Sequence, residues 1–294
     1  MTTIRTHTSK LVLIGIISSL VVLNHSSSIV QAWRLNRVRL GVPSSLTSEA
    51  FAPAADCRMV LAVLDQGMVG AAATLDNSPC LVGDTAFSDL IRLRLGELHA
   101  AQGDLGHARR LWRTSERLGT YFLHRTANLT QQGKLSEALL ALANVEGWSG
   151  YPSTELHLRG AIAWGQGDQE GALDAWRQAL VLNTYQPALS VKINRSATAY
   201  ELGKAAVDAQ KWTVARDAFS LVVALDSRNP FGWMRLGLVY LNGFGDIAQA
   251  EYALRTSLAN GDVDWAHYGL GRVLEAQGRD VEAIDEMFIA FRMS

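Results

Sequence analysis

Proline is nearly missing from this chain, six in 294 residues, so little in it interrupts a helix. Charge is also thin: Asp, Glu, Lys and Arg make up 19% of residues, and the formal net charge is −1. No whole-molecule field and no long basic stripe exist to hold a nucleic acid, and no such partner is expected. With 48% hydrophobic residues the chain is too apolar to remain disordered. Cysteine occurs twice, at Cys57 and Cys80, without the C-x-x-C pair or Cys/His cluster of a zinc site. The seven histidines, His7, His25, His99, His107, His124, His157 and His267, show no H-E-x-x-H or other paired ligand spacing. G-x-S-x-G elbows and phosphate loops are absent too, so neither catalysis, cofactor nor metal is expected. One lookalike occurs, G-x-G-x-x-A over Gly243–Ala248. A dinucleotide fingerprint belongs between a strand and a helix, and this stretch follows a helical pattern.

What is present begins with an N-terminal segment of different material. Arg5 and Lys10 precede the uncharged run Leu11–Leu23, which is followed by the polar patch Asn24–Ser28. Two readings compete. Val30 and Ala32 occupy the −3 and −1 positions of a cleavage site, which would release a secreted protein from Trp33 onward. Alternatively Leu11–Ala32 stays as an anchor, just long enough to cross a hydrocarbon core of about 30 Å. Arg34, Arg37 and Arg39 directly downstream weaken both cleavage and an N-in orientation. Residues 1–33 thus read as a signal or transmembrane segment and 34–52 as a juxtamembrane linker carrying Pro43.

Beyond the linker a glycine followed five residues later by an alanine recurs: Gly67/Ala72, Gly103/Ala108, Gly133/Ala138, Gly167/Ala172, Gly245/Ala250 and Gly278/Ala283. Neighbouring copies lie 30 to 36 residues apart, except for one long interval that holds the degenerate copy Gln210/Ala215. Such a period means stacked helix–turn–helix units. The clearest covers 153–186. Gly160 is small where the first helix approaches the second, Gly167-Asp168 turns the chain and caps the next helix, and Trp176 is the large core residue. The remaining units read as about 53–88, 89–118, 119–152, 196–229, 230–263 and 264–294. Three departures stand out: Thr126 where a glycine belongs, one residue too many in Asn242–Gly245, and extra sequence over 187–195. No polar capping helix follows Ala290, so the last unit is expected to fray or to offer a docking surface.

These residues, in this order and spacing, resemble the tetratricopeptide repeat (TPR) family. Trp233, Leu236, Gly237 and Tyr240 follow its W-x2-L-G-x2-Y pattern most fully. The resemblance covers residues 53–294 and implies an all-α, right-handed superhelical solenoid after the N-terminal hydrophobic helix. It also implies a concave groove lined by the first helix of each pair. The groove positions carry over to His157, Trp164, Tyr200, Lys204, Phe231, Met234, Leu238, Trp265, Tyr268 and Arg272, with packing between repeats as the competing role for the aromatics. A protein or peptide partner, or a glycan chain, would suit this set. The implied function is a non-catalytic interaction scaffold at the extracytoplasmic face of a membrane. The alternative is an accessory subunit of a membrane enzyme complex handling glycans or secreted proteins.

Three local features complete the reading. Cys57 and Cys80 lie ten residues either side of Gly67–Gly70, and a hairpin turn there would bring them level for a disulfide. Two buried free thiols are the alternative. The cluster Arg92, Arg94, Arg109, Arg110, Arg113 and Arg117 is interleaved with acids and reads as a solvated helical surface or a contact for an acidic partner. Matches to N-x-[ST] at Asn24, Asn128 and Asn194 are short and unspecific.

Overall fold

A computed structural model describes residues 75–189 and 192–294, together with Cys57, Val60, Leu61, Leu64 and Asp65. The expected targeting segment, the linker and the Gly67/Ala72 copy lie outside the described residues. Within them the chain is helical and contains no strand. The order is α1 (Ala86–Ala101), α2 (Leu105–Trp112), α3 (Glu116–Gln131), α4 (Leu135–Val145), α5 (Pro152–Gly165) and α6 (Gln169–Leu182). It continues with α7 (Arg195–Asp208), α8 (Trp212–Leu225), α9 (Pro230–Val239), α10 (Ile247–Asn260), α11 (Asp264–Ala276) and α12 (Asp280–Met293). No helix among the described residues is long and apolar enough to cross a membrane.

The recurrent glycine has a backbone reason. Gly103, Gly133, Gly167, Gly245 and Gly278 all have positive φ, between +63° and +88°, in the turn between two helices. A Cβ there would be strained, and Gln210, which replaces the glycine in one copy, is held at φ +54°. The alanine five residues on sits at the crossing of the pair: Ala108, Ala138, Ala172, Ala215 and Ala250 are fully buried. Where Asp follows the glycine it caps the next helix. Asp104, Asp168 and Asp246 accept from the backbone N–H groups of His107, Gly171 and Gln249 at 2.9, 2.9 and 3.0 Å.

A second glycine, on the first helix of each pair, makes room for the large residue of the second. A Cβ on Gly96 would lie 2.1 Å from the ring of Trp112, and on Gly160 it would lie 2.6 Å from that of Trp176. Gly203 faces Phe219 in the same way, and Gly271 faces Met287. In both tryptophan pairs the indole Nε1 donates to the carbonyl one turn before the glycine, Leu93 at 3.3 Å and His157 at 3.1 Å. The buried ring is thereby packed and hydrogen-bonded at once.

The chain divides into two units, Met1–Tyr121 and Phe122–Ser294, and the division falls within α3. In the first, Leu64, Cys80, Ile91 and Leu95 form a core beneath α1. Here Arg92 departs from the solvated surface expected of it. It is buried, donating to Asp89 at 2.8 Å and to the carbonyls of Leu81 and Gly83 at 2.6 and 2.8 Å. Arg117 donates to the other oxygen of Asp89 at 2.6 Å, so this buried carboxylate is shared by two cations. Arg94 pairs with Asp65 and Glu97, while Arg110 and Arg113 are exposed.

In the second unit α5 packs on α6, α7 on α8, α9 on α10 and α11 on α12, and each pair meets the next. One core runs from Ala172, Leu173 and Trp176 through Leu202 and Phe219 to Val239; another joins Met234, Leu254, Leu270 and Leu274. Thr126, in a glycine's place, is fully buried and donates its hydroxyl to the carbonyl of Phe122 at 2.8 Å. The extra residue of 242–245 is absorbed by a π-helical stretch, Tyr240–Phe244, that extends α9. Accordingly the glycine-to-large-residue spacing lengthens by one here, Gly237 facing Leu254. Gly243 lies against the ring of Trp212, where a Cβ would come within 2.6 Å, and Gly245 makes the turn.

Candidate functional site

Three of the residues expected in a groove share one cleft of about 490 Å³ in the second unit. His157, Ala161 and Trp164 stand on one face of α5 at i, i+4, i+7 spacing, and Tyr200 and Glu201 face them from α7. Trp176 and Val222 contribute the apolar floor. The wall between the helices comes from the sequence that interrupts the repeat period. Its 3₁₀ turn, Pro187–Leu189, is pinned by buried Leu189 and Ile193, and it places Lys192 and Asn194 at the cleft. Asn194 also caps α7, accepting from the backbone of Ala197 at 2.8 Å.

The polar groups of the cleft are few and fixed. Thr198 donates its hydroxyl to the carbonyl of Asn194 at 2.8 Å, so the contact at 2.9 Å from His157 Nδ1 requires the imidazole to be the donor. Burial pushes His157 down to about 4, and the ring is neutral at physiological pH. Tyr200 lies edge-on to Phe219 with ring centres 5.7 Å apart, and its hydroxyl accepts from Arg235 Nε at 3.4 Å. Lys204 sits over the Tyr200 ring, 5.9 Å from its centre, and donates to Glu201 at 3.1 Å. Aromatic faces, a neutral imidazole, and one lysine and one glutamate at the rim suit an extended, largely uncharged chain.

The other expected residues lie elsewhere. Trp265 and Tyr268 are exposed on α11, with ring centres 5.7 Å apart and edge to face. Arg272 donates to Asn242 at 2.8 Å, and Phe231 is exposed at the start of α9. Met234, expected to line the groove, is a core residue with 3% exposure, and Leu238 packs on the same core. The second turn of α9 points Met234 inward, against Leu254 of α10 and Leu270 of α11. A one-position shift in register separates groove from core on a helix. Cys57 and Cys80 are disulfide-bonded, with Cα atoms 5.5 Å apart.

Lys192 and Asn194 escaped the sequence reading because they lie outside the repeat grammar. The signal that could have found them is the interruption itself, since sequence inserted between two stacked pairs must pass over their surface.

Comparison with known proteins bears on the fold. Residues 200–264 and 243–288 match the tetratricopeptide repeat family. The crystal structure of MamA protein is similar at a TM-score of 0.50, with 20% identity over 59% of this chain and 90% of that one. MamA from Desulfovibrio magneticus RS-1 is similar at a TM-score of 0.49, with 16% identity over 59% of this chain and 93% of that one. At its identity the first of these likenesses is one of fold alone. No curated protein matches the chain by sequence. The fold is thus an all-helical array of tetratricopeptide-like pairs.

Proposed function

We infer that the protein is a non-catalytic interaction scaffold that takes an extended segment of a partner protein in the cleft between α5 and α7. The observation that carries this reading is the cleft wall: Lys192 and Asn194, from an insertion in the repeat period, line the same cleft as Trp164 and Tyr200. Repeat stacking alone does not require that wall, and an aromatic surface of this kind is the type that dominates binding energy at interfaces. The array is proposed to stand on the extracytoplasmic side of a membrane, tethered by the apolar segment Leu11–Ala32. Support comes from that segment and from the Cys57–Cys80 bond, which suits an oxidising compartment.

Crosslinked affinity capture with the full chain tests the site. Trp164→Ala with Tyr200→Ala is compared with Trp265→Ala with Tyr268→Ala, each checked for helicity and melting temperature. A partner captured by the native chain is expected to fall more than tenfold with the first pair and to persist with the second. Loss only with the exposed α11 pair, or with neither folded variant, overturns the cleft. Extraction of the protein from membranes by alkaline carbonate would overturn the tether.

A further inference from the structure

The helix α12 has two unlike faces. On the inner one Ala283 and Ala290 are buried, Met287 fills the space left by Gly271, and Glu286 bonds His267, so the helix is held on α11. The outer face is apolar and open. Val281, Ile284, Phe288 and Phe291 are 75%, 66%, 59% and 77% exposed. They follow one another at steps of three, four and three residues, which is the a/d seam of two heptads, the pattern by which one helix packs along another.

An open end of the repeat stack does not by itself account for this stripe. In the preceding pair, counted in register from Ala250 and Ala283, α10 carries Glu251 and Arg255 where α12 carries Ile284 and Phe288. Those two form an ion pair at 2.8 Å, and Glu251 also accepts from Gln277 at 2.7 Å. In α8 the corresponding residues are Arg216 and Ser220. Both positions are thus polar in the two preceding pairs, where another pair does stack, and apolar and exposed in α12. A contiguous exposed apolar stripe marks an interaction surface. We propose that α12 pairs with α12 of a second copy of the chain, antiparallel, about a two-fold axis.

The residues of the seam select that occupant and that direction. A two-fold contact must be self-complementary, and antiparallel heptads oppose a with d. Val281 then packs on Phe291 of the second copy and Ile284 on its Phe288, a branched aliphatic against a ring in every layer. Asp285 and Arg292, both exposed, flank the seam at the e positions of successive heptads. Neither makes an ion pair among the described residues, and Arg292 lies over the Phe288 ring, 5.9 Å from its centre. Antiparallel helices bring e toward e, so each Asp285 meets Arg292 of the second copy, twice by symmetry. Parallel helices would instead lay Asp285 beside Asp280 of the second copy, a like-charge contact on both sides. Antiparallel pairing also sets the acidic first turn, Asp280 and Glu282, toward the last turn that holds Arg292.

Sedimentation equilibrium of the full chain in mild detergent tests the pairing. The native chain is expected to pass from dimer to monomer on dilution. Ile284→Glu and Phe288→Glu, at exposed positions, should abolish the dimer while leaving helicity unchanged. Asp285→Arg or Arg292→Asp alone should weaken it about tenfold, and the two together should restore it. A tighter dimer with Asp285→Arg alone would mean parallel helices and overturn the arrangement. A native chain that is monomeric at every concentration, or a dimer that survives both glutamate changes, overturns the pairing of α12. So does a monomer that binds phosphatidylcholine vesicles and loses them on Phe288→Glu, because the face would then belong to lipid. Should a glutamate variant misfold, the restoring charge exchange still decides, since both of its positions are exposed.

Discussion

Gly160 shows how a single missing side chain places a whole helix pair. The ring of Trp176, 2% exposed, occupies the volume its Cβ would fill and uses the gap to reach the carbonyl of His157. Gly160→Ala must push the ring or the helix, breaking that bond while overfilling the core. The expected cost is about 1–3 kcal/mol, read as a lower urea midpoint at unchanged slope. Gly106→Ala supplies the control, since the nearest atom to its Cβ is 3.6 Å away on an exposed surface. It should be neutral or slightly stabilising. A Gly160→Ala variant as stable as the control would mean that the α5–α6 packing yields freely, and the close approach would have no energetic role.

Between elements, His157 ties α5 to α7 through Thr198, and the link has a pH signature. Burial lowers the imidazole to about 4 in the folded protein, against about 6.5 when unfolded. Above both values the ring is neutral in either state and contributes no pH dependence. Between them the unfolded chain binds the extra proton, so stability falls as pH drops from about 6.5 toward 4, by a total of about 3 kcal/mol. His267 works the other way. Burial opposes its charge, but hydrogen bonds to Glu286 and Asp262 and their charges prevail and raise it. Its contribution is full below the ordinary histidine range and fades as pH rises through the raised value. Acid melts of native protein and His157→Gln check the first effect: the variant should lose most of the slope between pH 6.5 and 4. An unchanged slope would place the titrating group elsewhere. The contrast also marks what a sequence can disclose. Turn glycines, crossing alanines and core tryptophans recur at a local period, so their roles could be read without coordinates. The Thr198 contact, 41 residues from His157, depends on how helices stack. So do the burial of Arg92 and the inward turn of Met234, and no period encodes them.

Across the whole molecule, the first unit holds a disulfide and the second holds none among its described residues. The Cys57–Cys80 bond closes a loop with a sequence separation of 23, and it joins a core that includes Leu64, Cys80, Ile91 and Leu95 among the described residues. Closing such a loop stabilises a domain by about 3 kcal/mol, mostly through the unfolded chain. A repeat array has nearest-neighbour energetics, so loss of the link should be felt near it and fade along the chain. Reduction, or paired Cys57→Ser and Cys80→Ser, is therefore expected to raise amide exchange strongly across Ala86–Trp112. Protection across Pro152–Leu225 should change little, because its cores share no residue with that region. Native-state hydrogen exchange by mass spectrometry resolves the two stretches. Equal loss in both would mean that the chain opens as one cooperative body, and that the disulfide governs the partner cleft as much as the unit it staples.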